Sequence, residues 1–305
     1  MIGKAMSSFP KVFLTTFLGL IFLIPVPQVP VWGFPIVSEQ APTLPLGLWG
    51  WRARGAISDI TRGDRRREEG IAAMTVAYGL KYNWTLGASL PFVQRELEET
   101  VDGARRKQVS SGVGDLTLFT FYKFYQRDKF QYSEQAAIFG ALKLPTGRVN
   151  DRDSQGKLLA PKLQPGTGST DFILGPIFTH RVSLRFAWHG NLFYRINTEG
   201  TQDFRFGNKL IHNLAAEYRF IIRPETSLIL ELNGAYTGKS EKDGNRRAGT
   251  GGYLLFLTPG IQGTVPYTER VLSWEFAAQI PVVENLRGDQ LSPGIRFIFG
   301  LRSLF

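Results

Sequence analysis

The sequence predicts an all-β protein, a transmembrane antiparallel up-and-down β-barrel of about twelve strands that follows an N-terminal signal peptide. Three observations predict this fold class. Beyond residue 45, apolar side chains recur at every second position over many stretches of about ten residues. The connections between these stretches alternate between short and long, and the last stretch alternates up to the final residue, Phe305. Together they indicate a sheet whose two faces meet different surroundings, one of them lipid.

The composition excludes several classes of protein. The mean hydropathy is −0.10, which is too low for a helical membrane protein with several apolar runs of about 20 residues each. The chain has no cysteine and three histidines, so disulfides and thiolate chemistry are excluded and we expect no metal and no cofactor. The formal net charge is +10, but the basic residues are spread through the predicted strands. We therefore expect no nucleic-acid partner.

The N-terminal residues 1–33 have the three-part pattern of a secretory signal peptide. Lys4 and Lys11 precede the apolar run 12–24, and three prolines follow it. Gly33 is a small residue after which cleavage can occur. The run is short for a bilayer core of about 30 Å, which argues against a membrane anchor. The proline-rich segment 34–45 is either periplasmic or a plug inside the barrel, and its terminal position favours disorder. The barrel then spans 46–305.

Twelve strands are predicted, several of them long enough to cross a bilayer at a tilt. They cover residues 46–57, 71–81, 84–96, 113–126, 133–145, 169–180, 183–196, 209–222, 226–238, 251–264, 269–281 and 291–305. The clearest is 183–196. One of its faces carries Leu184, Phe186, Trp188, Leu192, Tyr194 and Ile196, and the other carries Arg185, His189, Asn191 and Arg195.

The connections predict the orientation of the barrel. Short turns join the strands at 82–83, 181–182 and 223–225. Longer connections are predicted at 58–70, 97–112, 146–168, 197–208 and 239–250. Because outer-membrane barrels have short periplasmic turns and long outer loops, both barrel termini are predicted to be periplasmic.

The last predicted strand, 291–305, indicates the outer membrane most specifically. Its apolar parity holds Ile295, Phe297, Phe299, Leu301 and Phe305, and the other parity holds Arg296, Gly300 and Arg302. An alternating strand with a terminal aromatic is typical of chains that the barrel-assembly machinery inserts, although Ser303 departs from the usual pattern. The predicted partners are this machinery, outer-membrane lipid and a small-molecule solute.

The face opposite the apolar parity predicts the lumen. The pore-lining candidates are Arg52, Arg54, Arg95, Lys123, Lys143, Arg185, His189, Arg195, Arg219, Glu231, Glu275, Arg296 and Arg302. The same parity holds Lys81, Arg181, Lys209, Asp115, Asp171 and Glu217. Basic residues outnumber acidic ones, which favours anions if the lumen is open. The alternative is that ion pairs fill a narrow barrel, because twelve strands lie between the filled barrels and the open porins.

An enzyme is the least favoured class. A barrel hydrolase needs a serine, a histidine and an orienting acid or amide close together. His189 has lumen parity in mid-strand, and neither His180 nor His212 has an obvious serine and acid at the same height on a neighbouring predicted strand. We therefore expect no catalytic residues.

Three segments resemble a known family when taken in order. They are SSGVGDLTLFTFYKF at 110–124, GALKLPTGR at 140–148 and PGTGSTDFILG at 165–175. Their order and spacing resemble the outer-membrane barrel family named for the meta-pathway of phenol degradation, also called the transporter family, over about residues 70–305. The resemblance implies an outer-membrane barrel associated with uptake of small, often aromatic or hydrophobic compounds, and it brings no catalytic residues.

The leading hypothesis is therefore an outer-membrane channel or transporter for small solutes, hydrophobic or aromatic compounds among them, by passive diffusion through a basic-lined lumen. The alternatives are a structural or surface-binding barrel that transports nothing and, least favoured, a membrane-embedded hydrolase.

Overall fold

The computed structural model of the protein describes residues 35–101, 103–130, 132–222, 224–265 and 272–305. The predicted signal peptide, 1–33, lies outside these residues. The strands are β1 (Trp49–Arg62), β2 (Arg65–Lys81), β3 (Trp84–Val101), β4 (Ala104–Val113), β5 (Thr117–Lys129), β6 (Tyr132–Lys143), β7 (Asp171–Arg181), β8 (Phe186–Ile196), β9 (Phe204–Arg205), β10 (Lys209–Ile221), β11 (Thr226–Thr237), β12 (Glu241–Lys242), β13 (Asn245–Arg246), β14 (Gly252–Thr264), β15 (Leu272–Leu286) and β16 (Ser292–Leu304). One 3-10 turn covers Thr201–Asp203.

Twelve of these strands form a closed antiparallel barrel, which confirms the predicted fold class. Each strand pairs with the next long strand along the chain, and β1 pairs with β16 from Gly50 opposite Leu304 to Thr61 opposite Ser292. The ring has no free edge, so no row of backbone groups is left unpaired in the wall. The remaining long strand, β4, pairs with residues 92–101 of β3, whereas β5 pairs with residues 84–89 of β3.

Strand β11 illustrates why the sequence adopts this wall. Leu228, Leu230 and Leu232 are about half exposed on the outside, whereas Glu231 and Asn233 are buried inside. Every second residue points the same way along a strand. The alternation in sequence therefore becomes an apolar outer belt and a mostly polar interior, as outer-membrane barrels require.

The two ends of the barrel differ. We call the end at which β1 begins with Trp49 and β16 ends with Leu304 the terminal end, where short turns join the strands. The opposite end, the loop end, carries the connections 144–170, 197–208 and 238–251. Within it, β9, β12 and β13 form a small separate sheet. There Glu241 accepts hydrogen bonds from Arg205 and Arg246, which hold its pKa below its ordinary value.

Two of the predicted loops are wrong. The first is 58–70, where β1 and β2 extend to a two-residue turn at Gly63 and Asp64. The second is 97–112, most of which is strand, because β3 extends to 101 and β4 begins at 104. These extensions have no apolar face, so the sequence pattern did not indicate strands. Beyond the membrane belt a strand needs no such face, because charged residues can pair across the ladder instead. Lys107 pairs with Glu96 in this way, and Arg105 with Glu98.

The outer face of the last strands follows the prediction. Ile295 and Phe297 are exposed, while Ile298, Gly300 and Arg302 point inward and are buried. The backbones of Phe305 and Trp49 exchange two hydrogen bonds of 2.8 Å, so the closing seam extends to the last residue. Among the described residues, no helix is long and apolar enough to cross a membrane.

The segment 35–45 lies inside the barrel, although its terminal position favoured disorder. It begins against β11, crosses the lumen past β8 and β7, and leaves along β3 before β1 begins. Ile36 and Ala41 are completely buried. We call residues 35–45 the lumen plug. The sequence left the plug as one of two alternatives, because the partners of Ile36 and Ala41 are more than a hundred residues away along the chain.

Candidate functional site

The lumen plug is fastened to the barrel wall by one carboxylate. Glu231 accepts the backbone N–H groups of Ile36 (2.5 Å), Val37 (3.0 Å) and Ser38 (2.8 Å), and it also accepts the Ser38 hydroxyl (2.5 Å). Glu231 is fully buried. Hydrogen bonds to a charged acceptor contribute about 1.5–3 kcal/mol each, more than neutral ones. Glu231 is therefore the main polar attachment of this end of the plug.

Two apolar contacts anchor the plug on either side of this carboxylate. Ile36 packs in a cluster on β11, β15 and β16, and Ala41 packs on the opposite wall. The first cluster contains Ile229, Ala277 and Ile298, and the second contains Ala137, Ile177 and Phe193. These wall residues have the parity that the sequence assigned to a polar lumen. They are apolar because the plug, and not water, covers them.

A second buried carboxylate organises the cations beside the plug. Glu275 lies 2.6 Å from Arg52, 3.2 Å from Arg54 and 3.6 Å from Arg302. Arg52 also donates to the backbone oxygens of Pro35 (3.4 Å) and Ile36 (3.3 Å). The four charged residues were predicted to face the lumen, and the structure brings them together. The guanidinium groups of Arg52, Arg54 and Arg302 surround the carboxylate of Glu275, so the four residues together carry more positive than negative charge.

His189 belongs to a buried chain of polar groups that also reaches the plug. Ala41 N–H donates to Thr179 Oγ1 (3.0 Å), which lies 3.0 Å from His189 Nδ1. On the other side, His189 Nε2 lies 3.8 Å from Glu217, which accepts the hydroxyl of Ser227 at 3.0 Å. The hydroxyl of Thr179 is covered by the plug and already bonded. This arrangement positions the plug and offers no accessible nucleophile.

At the loop end, the three glycine-rich motifs of the sequence meet at Asp115. Its carboxylate accepts the N–H groups of Gly147 (2.9 Å) and Thr167 (2.9 Å) and lies 2.8 Å from Lys143. Gly147 and Gly166 pack backbone against backbone, and a Cβ on either would collide with the other. The motifs therefore fasten the long connection 144–170 to the wall.

Charge pairs and unpaired cations line the loop half of the lumen. Lys143 and Arg195 share Asp171 (3.1 and 2.6 Å), while Arg95 and Arg296 share Glu69 (2.6 and 3.6 Å). Asp171 and Glu69 are thus outnumbered by the four basic residues that pair with them.

Two lysines in this half have no acid of their own. Lys209 lies near Arg195 and Arg296 and forms no hydrogen bond or ion pair with the described residues. In the connection 144–170, burial lowers the pKa of Lys162, and the charge of Arg67 lowers it further.

The structure also contains an aromatic feature that the sequence analysis missed. Phe119, Phe121, Phe139 and Phe193 face the lumen and form what we call the aromatic ladder. Ring centroids lie 5.6 Å apart for Phe119 and Phe121, 5.0 Å for Phe121 and Phe139, and 5.1 Å for Phe139 and Phe193. Gly175, the β7 partner of Phe139, puts no side chain between the last two rings. The signal was present, since these phenylalanines share parity with Lys123, Lys143 and His189.

A cavity of about 650 Å³ lies at the terminal end, between the plug and the turns. We call it the terminal cavity. Its lining includes the plug residues 39–40 and 42–45, two rings of the aromatic ladder, and Lys123, Arg181 and Arg302. The predicted pore residue Lys123 thus faces a real space in the barrel.

Of two other pore-lining candidates, Arg185 departs from its predicted position and Arg219 does not. Arg185 lies exposed in the turn 182–185, because β8 begins at Phe186 and not at 183. Alternation cannot assign a face to a residue in a turn. Arg219 does point inward, at the terminal end, where it pairs with Glu225 at 2.8 Å. Among the residues that the structure describes, no group of three or more His, Asp or Glu could hold a metal ion.

This combination of a closed twelve-stranded wall, an apolar outer belt and a plugged lumen defines an outer-membrane barrel of the channel type. The chain belongs to the family described as "Putative MetA-pathway of phenol degradation", whose profile matches residues 62–267. The resemblance inferred from 110–124, 140–148 and 165–175 is thereby confirmed.

One solved structure supports the same fold, and two others are more distantly similar. An outer membrane channel from Pseudomonas putida F1 matches with a TM-score of 0.61 and 17% identity, over 87% of this chain and 98% of that one. The toluene transporter TbuX of Ralstonia pickettii matches with a TM-score of 0.43 and 10% identity, over 87% and 91%. The β domain of the Bordetella autotransporter BrkA matches with a TM-score of 0.48 and 10% identity, over 85% and 100%. No curated protein sequence matches the chain.

Proposed function

We propose that the protein is an outer-membrane channel through which small aromatic or hydrophobic solutes diffuse passively. The aromatic ladder is the observation that carries this proposal, because four phenylalanine rings facing the interior of a barrel are not needed to hold the wall in lipid. Stacking on such rings attracts aromatic solutes without demanding one particular molecule. The family name and the channel fold favour the same function.

The lumen plug closes this path in the resting state. It covers the ladder at Ala41 and is held by the carboxylate of Glu231. Because the main polar attachment at the start of the plug is a set of hydrogen bonds to Glu231, a change of a few kcal/mol there shifts the balance between docked and displaced plug. Passage follows displacement of the plug.

The proposed orientation has the terminal end in the periplasm and the loop end outside, and insertion uses the strand that ends at Phe305. The unpaired cations Lys162 and Lys209 make the loop half of the lumen basic and favour anionic over cationic solutes there. Short turns at one end and long connections at the other support this orientation.

Current recordings on planar bilayers test the proposal in a Glu231→Gln channel, whose plug is loosened. Benzyl alcohol should reduce the ion current at concentrations at which glycerol, a polar solute without a ring, has little effect. Phe139→Ala should weaken the block because it removes the central ring of the ladder. Equal block by benzyl alcohol and glycerol would contradict an aromatic path, and a channel that never conducts would favour a barrel that binds at its surface and transports nothing.

A further inference from the structure

The terminal cavity joins an aromatic surface to a positive charge. Phe119, Phe121 and Lys123 lie at alternate positions of β5, so all three point into the barrel. Residues two apart along a strand are separated by about 6.6 Å, so one small molecule can touch the Phe121 ring and the Lys123 ammonium together. This pairing of groups fits a planar ring that carries an anionic substituent.

The ammonium of Lys123 has no partner of its own among the described residues. No hydrogen bond or ion pair joins it to another side chain. Asp128 attracts it from the rim, but the carboxylate of Asp128 already accepts hydrogen bonds from Ser133 (2.6 Å) and Gln126. A lysine that is half-buried in a cavity and has no partner can gain a strong, charge-assisted contact from a bound anion.

The other charges around the cavity leave this site positive. Arg52 and Arg302 are held by Glu275 on one side, and Glu39 of the plug faces Arg52. Arg52, Arg302 and Glu275 lie on β1, β16 and β15, whereas the ladder rings that line the cavity lie on β5. The cavity volume of about 650 Å³ is within the range of sites that bury small ligands and exceeds what a single aromatic ring requires.

We propose that the terminal cavity is a binding site for a monoaromatic carboxylate, with the ring on Phe119 and Phe121 and the carboxylate on Lys123. The inference rests on the proposed function and adds to it the charge of the solute and a place where it binds at the barrel's terminal end. The site holds the anion beside the plug, in contact with Leu44 and Pro45.

Calorimetric titration of the full barrel in lipid nanodiscs tests this site with three probes: benzoate, benzyl alcohol and acetate. Benzoate should bind more tightly than either of the others, since it alone combines ring and charge. Lys123→Gln should weaken benzoate by about tenfold or more and leave benzyl alcohol nearly unchanged. Phe121→Leu should weaken benzoate and benzyl alcohol alike, and Lys123→Arg should restore most of the benzoate affinity.

Lys81→Gln is the matched control, because this lysine lies at the same end over the outer Trp84 ring and does not line the cavity. Heat-dependent gel mobility checks that each variant is folded. Benzoate affinity that is unchanged in folded Lys123→Gln, or equal for benzoate and acetate, would overturn the site. Binding that depends on Lys123 in a barrel that never conducts would instead refute the proposed function and leave the site standing.

Discussion

Two buried carboxylates determine the interior of this barrel. Glu275 gathers arginine side chains from β1 and β16, whereas Glu231 gathers backbone N–H groups from the plug. Both glutamates could be predicted to face inward, because each lies on the parity opposite the leucines or aromatics of its strand. The contacts of Glu231 with Ile36 and of Glu275 with Arg52 could not be predicted, because these residues are more than 190 positions apart along the chain.

Replacing Glu275 by glutamine tests the arginine cluster. The variant leaves Arg52, Arg54 and Arg302 close together without their shared anion, and the loss of one partner from a buried ion pair costs about 3–5 kcal/mol. Urea unfolding of the barrel in lipid vesicles, followed by tryptophan fluorescence, measures the free energy of unfolding.

The matched control is Glu98→Gln on the extension of β3, whose partner Arg105 is largely exposed. That pair should contribute less than about 1 kcal/mol. Similar losses of stability in the two variants would mean that the Glu275 cluster is not a structural centre of the barrel.

At the scale of elements, the strands of the barrel wall could be predicted from the sequence, whereas the aromatic ladder and the lumen plug inside it could be predicted only in part. All twelve strands of the barrel follow from period two, because lipid imposes one apolar face on each of them. The sequence pattern did not predict the extensions of β1–β3 or strand β4, which lie beyond the membrane belt, because water imposes no apolar face on a strand there. The aromatic ladder was open to detection, because Phe119, Phe121 and Phe193 break the polar parity of their strands. The plug was only one of two alternatives for 34–45, because this segment has no periodic pattern.

Single cysteines test the position of the plug, and the natural chain has none to interfere. Ser38→Cys is nearly isosteric, and Ser38 is 2% exposed. A membrane-impermeant maleimide should label this thiol about tenfold or more slowly than Leu46→Cys, a control residue just beyond the plug that is 48% exposed. Adding Glu231→Gln should speed labelling of the Ser38→Cys thiol only. Equal labelling rates for the two thiols in the otherwise natural chain would show that the plug is not docked.

For the whole molecule, the sequence indicated a barrel with an excess of inward cations and left open whether the lumen is an anion path or is filled by ion pairs. The structure shows the ion pairs, and it also shows inward cations that have no acid of their own. Ion pairs and the plug fill the centre at Glu231 and Glu275, while Lys123 and Lys209 remain unpaired toward the two ends. Burial of 35–45 decides which groups are covered, and no local pattern carries that information. The molecule is consistent with a closed channel that opens by moving one segment.

Single-channel conductance of Glu231→Gln against the natural protein is the most direct test of this account. Glutamine keeps the shape but removes the charge that holds three N–H groups, so the docked state should lose about 1.5–3 kcal/mol and the open fraction should rise by about tenfold or more. Glu69→Gln is the control, since Glu69 is also a buried inward acid and it bonds Arg95 and not the plug. The account predicts frequent openings in Glu231→Gln alone. Openings no more frequent than in the natural protein, or equally frequent in both variants, would contradict it.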